Sequence, residues 1–304
     1  MSVTVHSVIV NPDALIPRAD QIQESEMEML TPWVFEHFDV ADRDCPHIWP
    51  RERGAFKDFF WYLSSYYTEL NDFSEKGIAC AKNEYETITL PKRNWTVPGR
   101  ADYAHLMGLQ GTMLRILMET IHLETIHLEK SRKGGHQLYF PMTKFKQAYV
   151  IGGDKYYSRP DGTATFGPPE KRVPILSFAG WYEGQTWKEF LTEILSIMLG
   201  QVARNVNVCY EDQEVFIIGF YERCIYIARG FFTKDLISRV HLKGCSEDET
   251  IELLLTRGYN LSLREEWMEA VGVLANLLRY LLSGNAKVGA LQAHLPKAAN
   301  FTAG

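Results

Sequence analysis

The sequence predicts an α/β protein in which helices flank a mixed sheet and a mostly helical region lies at the N-terminal side. Between residues 19 and 131, apolar and aromatic residues recur at three- and four-residue spacing, which is the period of amphipathic helices. From about residue 136, short apolar runs bounded by Gly and Pro replace this period, as expected for strands. Long helical patterns then alternate with these runs, which is typical of α/β architecture.

The N-terminal region, residues 1–135, is expected to form a helical layer that packs on the core. Four prolines interrupt its helical periodicity and divide it into segments. The predicted helices of this region are 27–37, 55–70 and 103–130. The last pattern stops at Lys133-Gly134-Gly135, a sequence typical of a helix C-terminus.

The α/β core is expected at 136–290, followed by a flexible tail at 291–304. A largely apolar run at 173–179 is typical of a strand that is buried on both faces. The other predicted strands are 148–152, 162–166, 215–220, 224–228 and 251–256, with a hairpin turn between the third and the fourth of these. The predicted helices of the core are 186–204 and 265–283, each with one broad apolar face.

Composition places the chain among soluble intracellular proteins. An apolar share of 46% and a charged share of 23% over 304 residues are ordinary for a globular protein. The five cysteines are scattered without a C-x-x-C pair, which favours reduced thiols over a zinc or redox site. The sequence shows neither a secretory signal nor an apolar run long enough to span a membrane. We therefore expect a cytoplasmic protein without a membrane segment, metal or cofactor, and the sequence does not predict its oligomeric state.

The strongest indication of a ligand class is a basic, aromatic-rich stretch at 130–172. Nine Lys and Arg residues against three acidic residues give it a charge of +6 in a chain whose total is −6. Seven aromatic residues are interspersed with these cations. Cations neutralise phosphates and exposed rings stack on unpaired bases, so this pattern predicts a nucleic-acid surface. The predicted contact residues are Lys130, Arg132, Lys133, Lys144, Lys146, Lys155 and Arg159.

Two features of this half of the chain are open to more than one interpretation. Trp181 and Tyr182 directly follow the buried strand, where open α/β folds tend to bind ligands, so they are candidates for a substrate pocket as well as for core packing. If the rings of 130–172 instead lie inside the fold, the stretch has a structural role. The protein would then be a protein-interaction scaffold without catalysis.

The order of motifs after residue 158 resembles the core of the PD-(D/E)XK phosphodiesterases, the restriction-endonuclease-like fold. Arg159-Pro160-Asp161-Gly162 precedes two strands, a helix that contains Gln201 and a hairpin. In that family an Asp and an acid-x-Lys motif bind a divalent metal beside the scissile phosphate. The first motif matches at Pro160-Asp161, but the second falls within Leu176-Ser177-Phe178-Ala179-Gly180, which contains neither an acid nor a lysine. A simple turn is an equally open interpretation of the first motif.

The C-terminal half is similar to a group of fungal proteins associated with secondary metabolism. The segments that carry this similarity are 176–187 (LSFAGWYEGQTW), 197–201 (IMLGQ), 228–234 (ARGFFTK) and 279–289 (RYLLSGNAKVG). The chain also resembles the arginine-containing cyclodipeptide synthases of fungi, which join aminoacyl groups delivered on tRNA. Their acidic D-D-x-x-E-like signature has its nearest match at Asp248-Glu249-Thr250-Ile251-Glu252, with Glu in the second place.

This resemblance implies an aminoacyl-tRNA-dependent enzyme that forms amide bonds in fungal small-molecule biosynthesis. The stretch 130–172 would bind the tRNA acceptor end, residues near Trp181 would form the amino-acid pocket, and carboxylates would bind the Arg side chain. The candidate catalytic residues are Asp161, which the PD-(D/E)XK resemblance implies, and Asp248, Glu249 and Glu252, which match the acidic signature. The alternative is a nucleic-acid-binding protein of nuclease descent, catalytically eroded or with a rearranged metal site.

Overall fold

The computed structural model describes nine ranges of the chain: 2–17, 22–41, 54–73, 82–90, 103–128, 138–143, 145–168, 171–245 and 249–295. The strands are β1 (Ser2–Ile9), β2 (Tyr85–Thr89), β3 (Gln147–Ile151), β4 (Asp154–Ser158), β5 (Gly162–Phe166), β6 (Val173–Ala179), β7 (Gln213–Tyr221), β8 (Cys224–Phe232) and β9 (Thr250–Leu255). The helices are α1 (Pro12–Leu15), α2 (Glu24–Met29), α3 (Trp33–His37), α4 (Lys57–Phe73), α5 (Ala104–Leu128), α6 (Trp187–Val206), α7 (Lys234–Lys243), α8 (Arg264–Leu282) and α9 (Gly289–His294).

Among the described residues, seven strands form one mixed sheet in the order β2-β1-β9-β8-β7-β6-β5, so the predicted α/β class is confirmed. The pairs β1/β9 and β6/β7 are parallel, and the remaining pairs are antiparallel. It follows that β1, β6, β7 and β9 run in one direction, and β2, β5 and β8 run in the other. Strands β3 and β4 form a separate hairpin.

Helices cover both faces of the sheet. Helix α6 connects the parallel neighbours β6 and β7, which a tight turn cannot join, and it packs on both strands. Helices α4, α5 and α8 lie on the opposite face, where Phe220 contacts Tyr66 and Phe216 contacts Tyr280. The hairpin β3–β4 also packs on α6. Strand β7 is buried at every position because both of its faces are covered.

A capping box fixes the start of α6. The Thr186 hydroxyl accepts a hydrogen bond from the Glu189 backbone N–H at 3.2 Å, and the Glu189 carboxylate accepts one from the Thr186 backbone N–H at 2.8 Å. Such a box satisfies two of the N–H groups that a helix start leaves unpaired. The helix therefore begins shortly after β6 ends, and this places Trp187 at the carboxyl end of that strand.

The mostly helical N-terminal region also contributes strands to the sheet, which the sequence-based prediction did not include. Strand β1 pairs with β9 in parallel and β2 pairs with β1, so residues 1–135 supply two strands of the sheet. The side chains of Val3 and Val5 on β1 are buried. The predicted helix at 27–37 is also two helices, because Pro32 ends the first segment and caps α3. The boundary at 135/136 thus does not separate a helical layer from a sheet.

The flexible tail predicted from 291 onwards is wrong for its first residues. Helix α9 extends to His294, and Leu291 and Leu295 are buried. The Asn205 side chain on α6 anchors this helix, since its Oδ1 accepts a hydrogen bond from the Ala290 backbone N–H at 2.9 Å. Residues 296–304, and the helix end predicted at 133–135, lie outside the described residues.

Every strand and helix predicted between 162 and 283 is found, with bounds that differ by a few residues. Helix α7 lies in the same range and was not predicted. Strand β4, which completes the hairpin with β3, was not predicted either. In the parts of the chain that the structure describes, no helix has both the length and the apolar character needed to cross a membrane.

Candidate functional site

One edge of the sheet gathers residues from distant parts of the chain. The carboxyl ends of β1, β6, β7 and β9 lie along this edge because these strands share a direction. The starts of the antiparallel strands β2, β5 and β8 lie at the same edge. Open α/β sheets bind ligands in this position. The carboxyl edge is therefore the candidate site.

Asp161 lies at the carboxyl edge, directly before β5, and is 8% exposed. Its Oδ2 accepts a hydrogen bond from the Gly180 backbone N–H at 2.9 Å, and its own N–H donates to the Phe178 carbonyl at 2.8 Å. Helix α5 passes closely here, because a Cβ added at Gly111 would lie 2.5 Å from the Asp161 carbonyl oxygen. These contacts show Asp161 fixing the backbone that follows β6.

Trp181 and Tyr182 also lie at the carboxyl edge, but both are buried, at 8% and 5% exposure. The Gln110 side chain on α5 accepts a hydrogen bond from the Trp181 N–H and donates one to the Trp181 carbonyl, the latter at 2.9 Å. Tyr182 stacks on Tyr103 with ring centroids 6.0 Å apart. The structure thus brings Asp161, Trp181 and Tyr182 together as parts of one packed and hydrogen-bonded wall.

Three aromatic rings at this edge form the walls of what we call the aromatic box: Trp187 at the start of α6, Tyr221 at the end of β7 and Tyr226 near the start of β8. The three ring centroids lie 5.2 to 6.5 Å apart. Interplanar angles of 89°, 61° and 79° make the rings steeply inclined to one another, like adjoining walls. None of the three residues is more than 4% exposed, so the rings are rigidly supported.

The ammonium group of Lys82 lies in the aromatic box. Its Nζ is 4.8 Å from the ring centroid of Tyr226, and 5.4 and 5.6 Å from those of Trp187 and Tyr221. All three distances are within the range of cation–π attraction. The ammonium also donates a hydrogen bond to the Tyr226 hydroxyl. Because Lys82 as a residue is exposed, its side chain enters the box from the solvent.

Charges of both signs lie around the box, because Arg257 acts on the nearby Cys224 and pairs with Glu266 at 3.7 Å. Burial raises the pKa of the Tyr226 phenol, the Lys82 ammonium acts in the opposite direction, and the Glu222 carboxylate adds to the increase. Burial likewise raises the pKa of the nearby Cys224 thiol, and the charges of Glu266 and Glu222 raise it further. Two carboxylates are thus close enough to act on the strand that carries Tyr226.

Three of the predicted nucleic-acid contacts, Lys146, Lys155 and Arg159, lie on or beside the hairpin β3–β4. The ammonium groups of Lys146 and Lys155 lie 4.0 and 5.4 Å from the ring centroid of Tyr157, and both lysines are exposed. Arg159 follows the hairpin and is exposed too. The structure therefore groups Lys146 and Lys155 on one face. The other predicted contacts, Lys130, Arg132, Lys133 and Lys144, lie outside the described residues.

Most rings of the stretch 130–172 do not face the solvent, which corrects the expectation of a stacking surface. Four of them, Phe140, Tyr149, Tyr156 and Phe166, are at most 8% exposed. The half-buried ring of Tyr139 is covered by the Arg172 guanidinium at 3.7 Å. Tyr149 and Tyr156 are buried because the inward side of the hairpin packs on α6, where the Tyr149 hydroxyl pairs with Ser196.

Of the predicted catalytic acids, the two that the structure describes besides Asp161 lie away from it. Glu249 precedes β9 and so lies at the opposite edge of the sheet, where its carboxylate accepts two hydrogen bonds from the Arg239 guanidinium. Glu252 is exposed on β9, and its carboxylate is 3.9 Å from His6 Nδ1. Strands β6, β7 and β8 separate β9 from β5, a distance of roughly 19 Å at about 4.8 Å per strand. Asp248 lies outside the described residues.

Sequence reasoning missed four residues of this edge: Lys82, Gln110, Tyr221 and Tyr226. Gln110 carries a usable signal, because it is a polar residue on the apolar face of a predicted helix and is fully buried. The two tyrosines flank the predicted hairpin turn, but their mutual approach to Trp187 is a tertiary feature. Nothing near Lys82 in the sequence indicates that it meets rings more than a hundred residues away.

Among the described residues, no group of three or more His, Cys, Asp and Glu side chains is placed to hold a metal ion. No model of a known protein family matches the chain, and no curated protein matches it in sequence.

Proposed function

We propose that the protein binds an organic cation, a guanidinium or alkylammonium group, in the aromatic box. The observation that carries this proposal is the Lys82 ammonium, which lies within 5.6 Å of all three ring centroids. Aromatic faces attract such cations through the ring quadrupole, and most strongly where water is excluded. Lys82 then occupies the place of the ligand and leaves it when the ligand binds.

The activity that we propose for this site is aminoacyl-tRNA-dependent amide formation, as the resemblance to arginine-containing cyclodipeptide synthases implies. In this proposal the aromatic box, helped by the nearby charges of Glu222 and Glu266, binds the arginine side chain. The phosphates of the tRNA contact the exposed cations Lys146, Lys155 and Arg159. In this proposal carboxylates still contribute to Arg binding, but they are Glu222 and Glu266 and not the acidic residues of 248–252.

The proposed reaction needs little beyond orientation. The free amine of one aminoacyl group attacks the ester carbonyl of the other, so that a C–N bond forms and the C–O bond to the ribose breaks. The proton of the amine ends on the released ribose hydroxyl, and a second attack of the same kind closes the ring. Because the ester is already activated, holding the two acyl groups together supplies most of the acceleration. We assign Asp161 a positioning role, since its Oδ2 holds the backbone at Gly180.

Mass spectrometry of small molecules from a bacterial host that expresses the chain tests this activity. The proposal predicts arginine-containing diketopiperazines, which Tyr226→Leu reduces strongly because it removes one wall of the box. Trp61→Leu, which removes an exposed ring on α4, is the control and retains most of the product. A folded wild-type protein that yields no diketopiperazine contradicts the activity, whereas cation binding is measured separately.

A second candidate function is a nucleic-acid-binding protein of nuclease descent. It is supported by Asp161 before β5 and by the order of two antiparallel strands, a crossover helix and a parallel strand, on which the restriction-endonuclease resemblance rests. An oxygen-rich metal site needs more than one carboxylate, and the described residues include no group of three or more His, Cys, Asp and Glu side chains that could hold a metal ion. DNA cleavage that requires Mg²⁺ or Mn²⁺ and is lost in Asp161→Ala would favour this candidate over ours.

Burial of four rings in the stretch 130–172 is what the scaffold alternative predicts. A scaffold without a nucleic-acid surface binds RNA neither tightly nor with a dependence on salt. Filter binding of tRNA between about 50 and 200 mM salt distinguishes the scaffold from a tRNA-binding protein, since phosphate contacts weaken steeply over this range. Affinity that does not change with salt would support the scaffold.

A further inference from the structure

A cavity of about 480 Å³ lies at the end of α6 opposite to the aromatic box. It is bounded by β3, by the C-terminal half of α6 and by α7, while Phe232 and Ile251 close it on the side of the sheet. From Trp187 to Val206 the helix rises roughly 28 Å at 1.5 Å per residue. The cavity and the box are therefore separate sites.

The lining of the cavity is apolar and carries no formal charge. None of the described residues that line it is Asp, Glu, Lys or Arg, although 23% of the chain is charged. Two of its hydroxyl groups have partners within the protein, since the Tyr149 hydroxyl is 2.8 Å from Ser196 Oγ and the Tyr210 hydroxyl pairs with Ser238 Oγ. A charged ligand would lose its hydration here without gaining a counter-charge. The lining thus fits a neutral ligand.

Helix α7 covers the cavity without filling it. Among its residues only Val240 is buried, whereas Leu236 and Ile237 line the cavity and are half-buried. Leu242, which also lines the cavity, is 71% exposed. Protein interiors normally contain few voids larger than a water molecule. The apolar side of α7 is therefore left incompletely packed, and an apolar ligand would complete it.

We propose that this cavity binds a small, uncharged and mainly hydrocarbon molecule. Volumes between about 300 and 1,000 Å³ are typical of sites for drug-sized ligands, which bury most of their surface in such a cavity. Asn207 and His241 belong to the lining and are exposed. They can hydrogen-bond a hydroxyl or carbonyl group at the outer end of the ligand. A peptide or a second copy of this chain is the competing occupant.

Two fluorescent dyes with the same ring skeleton test the proposal on the full chain. N-phenyl-1-naphthylamine is neutral, and 1-anilinonaphthalene-8-sulfonate carries a sulfonate on the same frame. The proposal predicts saturable binding of one neutral dye per chain, at least about tenfold tighter than the sulfonate. Ala203→Trp, which fills the cavity from α6, is expected to weaken the neutral dye at least about tenfold. Ala104→Trp at the exposed start of α5 is the matched control and leaves binding unchanged.

If Ala203→Trp does not fold, as judged by its circular dichroism, Ile237→Trp fills the cavity from the opposite wall and replaces it in the test. Equal affinity for the two dyes overturns the proposal. So does an affinity for the neutral dye that is unchanged in the variants that fill the cavity. Light scattering checks the competing occupant. A concentration-dependent dimer that the filling variant abolishes would assign the cavity to a second copy and would also overturn the proposal.

Discussion

The aromatic box and the hairpin β3–β4 both place lysine ammonium groups over aromatic rings, and the two regions differ in how the rings are held. In the aromatic box, Lys82 meets three nearly buried rings that come from α6, β7 and β8. In the hairpin β3–β4, Lys146 and Lys155 share the single half-buried ring of Tyr157. The chemistry of the contacts is the same, but only the box surrounds its cation.

The difference shows that a high density of cations and rings in the sequence does not by itself indicate a binding site. Cation–π attraction amounts to about 0.5–1 kcal/mol at exposed sites and to about 2 kcal/mol or more where water is excluded. The hairpin is of the first kind and the box approaches the second. We therefore propose ligand recognition in the box and only phosphate contact at the hairpin.

The largest expected effect is the loss of stability when one ring is removed from the aromatic box, compared with one ring from the hairpin. Trp187→Ala should lower the free energy of unfolding by about 3–5 kcal/mol, because it removes a fully buried ring from the core. Tyr157→Ala should lower it by less than about 1 kcal/mol. Urea denaturation followed by circular dichroism measures both. Equal losses in the two variants would erase the distinction between a supported and an unsupported ring.

Acid sensitivity tests whether the segment before the hairpin is packed on the core. His122 on α5 is 2% exposed, its Nε2 accepts a hydrogen bond from the Leu138 backbone N–H at 3.4 Å, and Phe140 packs on it. Burial lowers its pKa to about 4, below the value of about 6.5 that it has when unfolded. Between these two values the unfolded chain binds more protons, so stability falls as pH decreases.

The loss of stability from His122 should reach about 2–3 kcal/mol between pH 6.5 and 4. Thermal unfolding across this range measures it. His122→Gln stays neutral and can still accept the Leu138 hydrogen bond, so its melting temperature should decrease less steeply with acid. An identical pH profile in the variant would mean that this histidine is hydrated and the segment is loosely packed.

Removing the lysine cations should have a smaller effect on stability than removing the rings. Lys82→Met should cost about 1 kcal/mol of stability, since the box loses its internal cation, whereas Lys155→Met should cost close to nothing. Paired denaturation curves at low and high salt measure the difference. A loss in Lys155→Met that matches the one in Lys82→Met would contradict the ranking of the two regions.

Removing both lysines of the hairpin should have the smallest effect on stability and the clearest effect on the salt dependence of RNA binding. Lys146→Ala combined with Lys155→Ala should reduce the slope of log affinity for single-stranded RNA against log salt by about 1.4. The double variant Lys57→Ala with Lys243→Ala removes two exposed lysines elsewhere and should leave the slope unchanged. Equal slopes in all three proteins would remove the hairpin from the proposed nucleic-acid contact.

The sequence predicts those parts of the site that depend on local order. The end of β6 follows from its apolar run, so Trp181 and Tyr182 could be placed at the end of a strand. The position of Asp161 follows from the turn before β5. Strand β1 could also have been found, because Val3 and Val5 are buried and alternate with more exposed residues, which is the period of a strand with one buried face.

The aromatic box could not be predicted in this way. Trp187, Tyr221 and Tyr226 each have a local role in a helix or a strand, and their approach depends on the parallel pairing of β6 with β7. Lys82 adds a fourth partner from the start of β2, which reaches α6 only through the order of the whole sheet. The burial of Tyr149 and Tyr156 is likewise set by tertiary packing on α6, since the same residues would suit an exposed hairpin.

Calorimetric titration with N-acetyl-L-arginine methylamide, which carries one guanidinium and no other charge, tests the central claim most directly. The account predicts that Lys82→Met binds this probe at least about tenfold more tightly than the wild type, because the internal occupant no longer competes. Lys155→Met should bind it as the wild type does. Affinity in Lys82→Met that equals or falls below the wild-type value would contradict the claim that the box is a cation site held by Lys82.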